Sequence, residues 1–143
     1  MSEQPAAPAP DASESTAGVT TKSSPAGVRE TVERLLELLA ARQMKVFAVI
    51  DQREEARAVG LDLRETTLVL FGNPAAGTPV MTAAPLAALD LPLKVVVWAD
   101  EDGTRLSYTS PAALAARYGL DAELLAPLAG VDALADGLIE ALS

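Results

Sequence analysis

The chain predicts an α+β fold: about five strands in a largely antiparallel sheet, one long helix packed on it, and a helical C-terminal part. Three observations point there. Val28, Val32, Leu35, Leu36 and Leu39 recur at helical spacing while Glu30, Glu33, Arg34 and Glu37 take the opposite face, which makes one amphipathic helix ending near Arg42. Asp100-Glu101-Asp102-Gly103 separates two β-prone runs and reads as a hairpin loop whose glycine supplies a positive φ. The strands do not alternate with full crossover helices, so a parallel doubly wound sheet is disfavoured.

In chain order, Val19 to Lys22 is a short β-prone run stopped by Ser23-Ser24-Pro25, and the long helix follows. Lys45 to Ile50 is a second strand, with Val46, Ala48 and Ile50 alternating with Phe47 and Val49, so both its faces are apolar. Asp51 ends it and caps a short helix, Gln52 to Val59, which Gly60 stops. Met81 to Ala88 has the composition of one or two helical turns. Leu91-Pro92-Leu93 resumes extended backbone, because a residue before proline avoids the helical region. Lys94 to Trp98 and Arg105 to Thr109 are the two arms of the hairpin, with Leu106 and Tyr108 inward and Arg105 and Ser107 toward water. Ser110-Pro111 opens a helix that Gly119 closes, Asp121 caps another running to Gly130, and a last helix from about Asp132 carries Leu134, Leu138 and Leu142 on one stripe.

The stretch around which the rest is organised is Thr67 to Thr78. Leu68 and Leu70 point to one side of a strand and Val69 and Phe71 to the other, so this strand needs cover on both faces and is expected in the middle of the sheet. Gly72 then turns the chain, Asn73 is a good N-cap, and Pro74 at the first helical position gives up no needed donor. Gly77 is expected to close the resulting helical turn, with backbone N–H groups left pointing outward for binding. One helical layer covers one face of an antiparallel sheet, so the other face must be covered by the C-terminal helices or by a second copy of the chain.

Composition excludes several chemistries. At 143 residues and half apolar the chain is one globular domain with a tail: residues 1–18, rich in Pro, Ala and Ser, are expected to be disordered, and residues 19–143 form the domain. The tail does not read as a secretory signal and no run is long and apolar enough to span a bilayer, so a cytoplasmic protein is expected. A formal charge of −9 and five aromatic residues argue against nucleic acid and anionic membrane surfaces. Without cysteine or histidine there is no thiolate nucleophile, no Ser-His-Asp triad and no imidazole ligand. No metal and no cofactor are expected.

Val46-Phe47-Ala48-Val49-Ile50-Asp51 with Ala56, then Phe71-Gly72-Asn73-Pro74-Ala75-Ala76-Gly77-Thr78, then Leu91-Pro92-Leu93-Lys94 and Tyr108 resemble a bacterial family classified as domain of unknown function 302. The similarity covers nearly everything from Thr20 to Leu142. It implies a compact α+β domain with a topology like that of the TATA-binding protein, prone to dimerise. Members usually carry histidine where this chain has Gln52, so any role of that imidazole could not be played in the same way here. They usually carry glycine where this chain has Gln43, which must then adopt a left-handed conformation at a cost of about 1 kcal/mol or end the helix differently.

Candidate ligand-binding residues are Asp51, Gly72, Asn73, Gly77, Thr78 and Lys94. Asp51 and Asn73 each have a plainer reading as helix caps, and that reading is preferred. Gly72 to Thr78 has no lysine after its second glycine, so it is not a Walker A loop. Lys94 could pair with Asp51 or Asp90, or snorkel at a sheet edge. Asp100 to Asp102 lack the spacing of a calcium loop and read as a solvated turn. Trp98 and Tyr108 read as core or dimer contacts. The leading reading is a non-catalytic homodimeric module that binds a partner or small molecule in a groove bordered by Asp51, Gly72, Asn73 and Thr78. The rival is an acid/base enzyme with Asp51 as the base and Asn73 with the N–H groups of the turn stabilising negative charge. A purely structural dimer is the third.

Overall fold

The computed structural model describes residues 17–143. The tail expected over residues 1–18 falls almost wholly outside them. Five strands, β1 (Val19–Ser24), β2 (Lys45–Asp51), β3 (Thr66–Gly72), β4 (Leu93–Asp100) and β5 (Gly103–Thr109), form one sheet in the order β1-β5-β4-β3-β2, every neighbouring pair antiparallel. The helices are α1 (Val28–Ala41), α2 (Gln52–Ala58), α3 (Pro74–Ala83), α4 (Pro111–Tyr118), α5 (Ala122–Leu125) and α6 (Gly130–Leu142), with 3-10 turns at Pro85–Asp90 and Ala126–Leu128. The predicted class is therefore observed. One placement differs: β3 lies inside the sheet but second from the edge, and β4 holds the centre. An apolar run on both faces does not fix the position in the sheet: β2, apolar on both faces as well, is the edge strand, and its Phe47 and Val49 are exposed there.

All the long-range cover lies on one face. Val69 and Phe71 of β3, Val95 and Val97 of β4, and Leu106 and Tyr108 of β5 form one core with Leu35 and Leu39 of α1 and Leu134 and Leu138 of α6. Each fully buried leucine contributes about 1.5–3 kcal/mol relative to exposure. Helix α6 packs beside α1 and over β1, where Lys22 pairs with Asp136. It does not cross to the other side. The opposite face carries Ala48 and Ile50 of β2, Leu68 and Leu70 of β3, and Val96 and Trp98 of β4, side by side through the pairs Ala48↔Leu70, Ile50↔Leu68 and Leu68↔Val96. All six are half-buried only. Of the two covers expected for this face, the C-terminal helices do not supply it.

Two local features depart from the simple alternation. Register shifts between Val46 and Ala48, so β2 bulges at Phe47, and Phe47 and Val49 are 46% and 45% exposed at the sheet edge. Ser107 does not meet water as its alternation predicts. It is 8% exposed, accepts from the Trp98 indole Nε1 at 3.0 Å and shares a 2.8 Å bond with the Thr21 hydroxyl. Ser107 faces Val96 and lies diagonal to Trp98, whose indole N–H reaches its hydroxyl, so the buried hydroxyl is paired at little cost.

Helix ends follow the residues. Asp51, Asn73, Ser110 and Asp121 accept from the backbone N–H of Glu54, Ala75, Ala113 and Leu124 respectively. Helix α1 ends in a Schellman turn: Gln43 N–H donates to the Ala40 carbonyl at 3.1 Å and Met44 N–H to the Leu39 carbonyl at 2.9 Å, with Gln43 at φ 57°. Of the two ways the glutamine could end the helix, it takes the left-handed one. Gly77 does not close a turn. Helix α3 continues through it and through Pro79 to Ala83, and the Leu91–Pro92 bond beyond is cis.

Candidate functional site

The corner where β3 becomes α3 opens into a cavity of about 500 Å³. Gly72, Asn73, Gly77 and Thr78 all line it, so four of the six candidate residues converge. The remaining wall is apolar. Met44 and Phe47 come from the start of β2, Met81 from α3, Leu91, Pro92 and Leu93 from the approach to β4, and Pro127 and Leu128 from the 3-10 turn before α6. At Gly77 an added Cβ would reach only ordinary contact, 3.9 Å, with Leu91 and Met81. Val80, on the next turn of α3, is fully buried against Ala87, Leu120 and Leu128 and so fixes this wall. The bulge at Phe47 sets its ring beside Gly72, where an added Cβ would lie 3.7 Å from it.

The backbone donors at the start of α3 are not free. Pro74 has none, Ala75 N–H donates to Asn73 Oδ1 at 3.0 Å, and Ala76 and Gly77 N–H both donate to the Asn73 carbonyl at 2.9 Å. The outward-pointing N–H groups expected from the sequence are thus consumed within the turn. Asn73 serves as the cap through its Oδ1, and its Nδ2 makes no hydrogen bond among the described residues.

Asp51 and Lys94 are not brought into this cavity. Asp51 pairs with Thr67, while Gly72 pairs with Lys45 at the other end of β2; the five-residue step from Thr67 to Gly72 is about 17 Å at about 3.4 Å per residue. Asp51 is exposed, caps its own helix at 3.0 Å, and borders a separate groove of about 500 Å³ lined by the charged Arg53, Arg57, Glu54 and Glu65. A base at Asp51 and a stabilising group at Asn73 therefore cannot address one reacting atom, which removes the geometry that the enzyme reading needs. Lys94 lies in the central strand, not at an edge, and its Nζ donates to the Pro92 carbonyl at 3.4 Å.

Outside the cavity lining, one charged cluster ties the turn that leads into β4. Asp90 Oδ2 accepts from the Tyr118 hydroxyl and from Arg117 at 2.7 Å, joining the 3-10 turn before β4 to α4. The Tyr118 hydroxyl, with help from Arg117 and against partial burial, holds the Asp90 carboxyl below the usual aspartate range, and the same bond raises the Tyr118 phenol. Tyr108 is a core residue whose hydroxyl donates to Asp132 at 2.5 Å; burial first, and that bond second, push its ionisation above the ordinary tyrosine range. Among the described residues no cluster of three or more carboxylates could hold a metal, and no helix is long and apolar enough to cross a membrane.

The wall residues Met44, Phe47, Met81, Leu91, Pro127 and Leu128 carried no sequence signal as a group. They are ordinary core-type residues, brought together from four places in the chain. The Phe47 bulge in particular depends on register against β3.

A small α+β domain with a mostly apolar corner cavity and no catalytic constellation around it is the class that fold and site define. The chain belongs to the family described as "Domain of unknown function DUF302", which matches residues 19–142. The crystal structure of an uncharacterized conserved DUF302 protein from Bacillus stearothermophilus superposes with a TM-score of 0.74 at 22% identity, over 90% of this chain and all of that one. Curated relatives are a protein called fluoride-specific ion channel FluC 1 from Brucella suis, 38% identical over 104 residues, and one called FluC 2 from Brucella melitensis at the same identity. These matches take in 72% of this chain but only 41% and 38% of the relatives, so the chain spans about two fifths of their length.

Proposed function

We propose that this protein is a non-catalytic binding module that holds a small molecule in the cavity at the β3–α3 corner and associates with a second copy of itself through the open face of its sheet. The observation that carries the reading is the convergence of Gly72, Asn73, Gly77 and Thr78 on one cavity of about 500 Å³, within the ordinary range of small-molecule sites. The half-buried stripe of Ile50, Leu68, Leu70, Val96 and Trp98 supports the second part, because burying it against its own symmetry mate removes apolar area from water on both copies. The acid/base enzyme centred on Asp51 and Asn73 is disfavoured by the separation of the two residues along β2 and β3.

Native mass spectrometry of the chain purified from cells tests the ligand. A bound mass that disappears when Ala76, on the cavity wall, is changed to Trp supports the site; a mass retained in that variant places the ligand elsewhere. Light scattering separately tests the dimer.

A second reading rests on the Brucella relatives: the shared segment serves as an accessory to fluoride transport, and this chain acts beside a fluoride channel. Deletion of the chain would then lower the fluoride tolerance of its host. Unchanged tolerance would argue against it.

A further inference from the structure

We infer that the corner cavity takes an uncharged, predominantly apolar small molecule, with its one polar end at Asn73 and Thr78; the inference rests on the reading of this corner as a ligand site. Asp, Glu, Lys and Arg are all absent from the residues that line it. A buried charge without a partner costs several kcal/mol in an apolar site, so an ionised ligand would find no compensation in the wall.

The start of α3 would be the natural anion site, and the hydrogen bonds remove it. The N–H groups of Ala75, Ala76 and Gly77 all bond to Asn73, and Pro74 has none. What remains of the helix dipole there is a weak field with no donor to focus it. The side-chain polar groups on the wall are the Asn73 amide, with Oδ1 already spent on the cap, and the Thr78 hydroxyl. Together they offer neutral hydrogen bonds suited to a carbonyl, ether or hydroxyl. Two cations touch lining residues from outside the lining: Lys45, exposed, with Nζ 5.0 Å from the centre of the Phe47 ring, and Lys94, whose Nζ is already spent on the Pro92 carbonyl at 3.4 Å. Met44 and Met81 add polarizable, adaptable side chains that accommodate apolar shapes without fixing one.

The test is fluorescence titration of the full chain with two probes, uncharged Nile red and the anionic anilinonaphthalene sulfonate. Nile red is expected to bind roughly tenfold or more tightly than the anion, because only the anion must be desolvated without a partner. Ala76→Trp should abolish Nile red binding by filling the space, and Ala76→Glu should weaken it by roughly tenfold by placing a carboxylate there. Leu68→Ser, on the open sheet face, should leave it unchanged. Circular dichroism checks each fold, and Ala76→Glu decides if Ala76→Trp does not fold. Equal or tighter binding of the anion, lost in the Ala76 variants, would overturn the ligand class and leave the site standing. No binding of either probe, or binding that survives both Ala76 variants or falls with Leu68→Ser, would overturn the site itself.

Discussion

Gln43 occupies a position that glycine would fill without strain. Its φ of 57° is the left-handed region, and the Schellman bonds from Gln43 and Met44 hold it there. Gln43→Gly should therefore stabilise the fold by about 1 kcal/mol, seen as a rise in the midpoint of urea unfolding at unchanged slope. Asp90 is the second residue with a measurable signature. Its carboxyl is held below the ordinary aspartate value by Tyr118 and Arg117, so its contribution is fully present above about pH 4 and is lost as pH falls through the lowered value. Asp90→Asn should cost about 1 kcal/mol at pH 7, and the difference from the parent should shrink toward zero as unfolding is repeated at progressively lower pH below about 4. A difference that is constant with pH would show that the charge is not what Tyr118 and Arg117 bind.

At the scale of elements, the caps were legible because they are local. Asp51, Asn73, Ser110 and Asp121 each needed only their own side chain and the next three residues. Helix α2 has no buried residue, so its cap matters more than its packing. Asp51→Ala should cost about 1 kcal/mol and speed hydrogen exchange across Gln52–Ala58, while Asp51→Asn, another good cap, should be nearly neutral. Strong loss on Asp51→Asn would revive a functional role for the carboxylate. Helix α3 was misread for the opposite reason. Gly77 and Pro79 argue locally for a stop, but Val80 is fully buried against Ala87, Leu120 and Leu128, and that tertiary contact carries the helix on to Ala83.

At the scale of the whole molecule, β3 and β4 lie inside the sheet as their two apolar faces suggest, whereas β2, apolar on both faces too, lies at the edge; strand order and the side chosen by α6 depend on contacts far apart in sequence. Nothing near Leu68 or Val96 says that α6 will join α1 on the other face. The bared stripe is what a second copy would cover, two sheets stacking face to face about 10 Å apart. Light scattering should give twice the chain mass, and the pair Leu68→Lys with Val96→Lys should return it to the mass of one chain without loss of helix signal. A single-chain mass at every concentration would remove the dimer and leave the cavity untouched.

The cavity is where fold and composition converge: with the backbone donors spent and the wall uncharged, the proposed ligand is selected by shape, apolar contact and the neutral groups of Asn73 and Thr78. Amide chemical-shift mapping of the isotope-labelled chain during a Nile red titration tests that most directly. The account predicts that Gly72, Ala76, Gly77 and Met81 shift together and saturably. Shifts centred on Ile50, Leu68 and Val96, with those four amides unmoved, would contradict it.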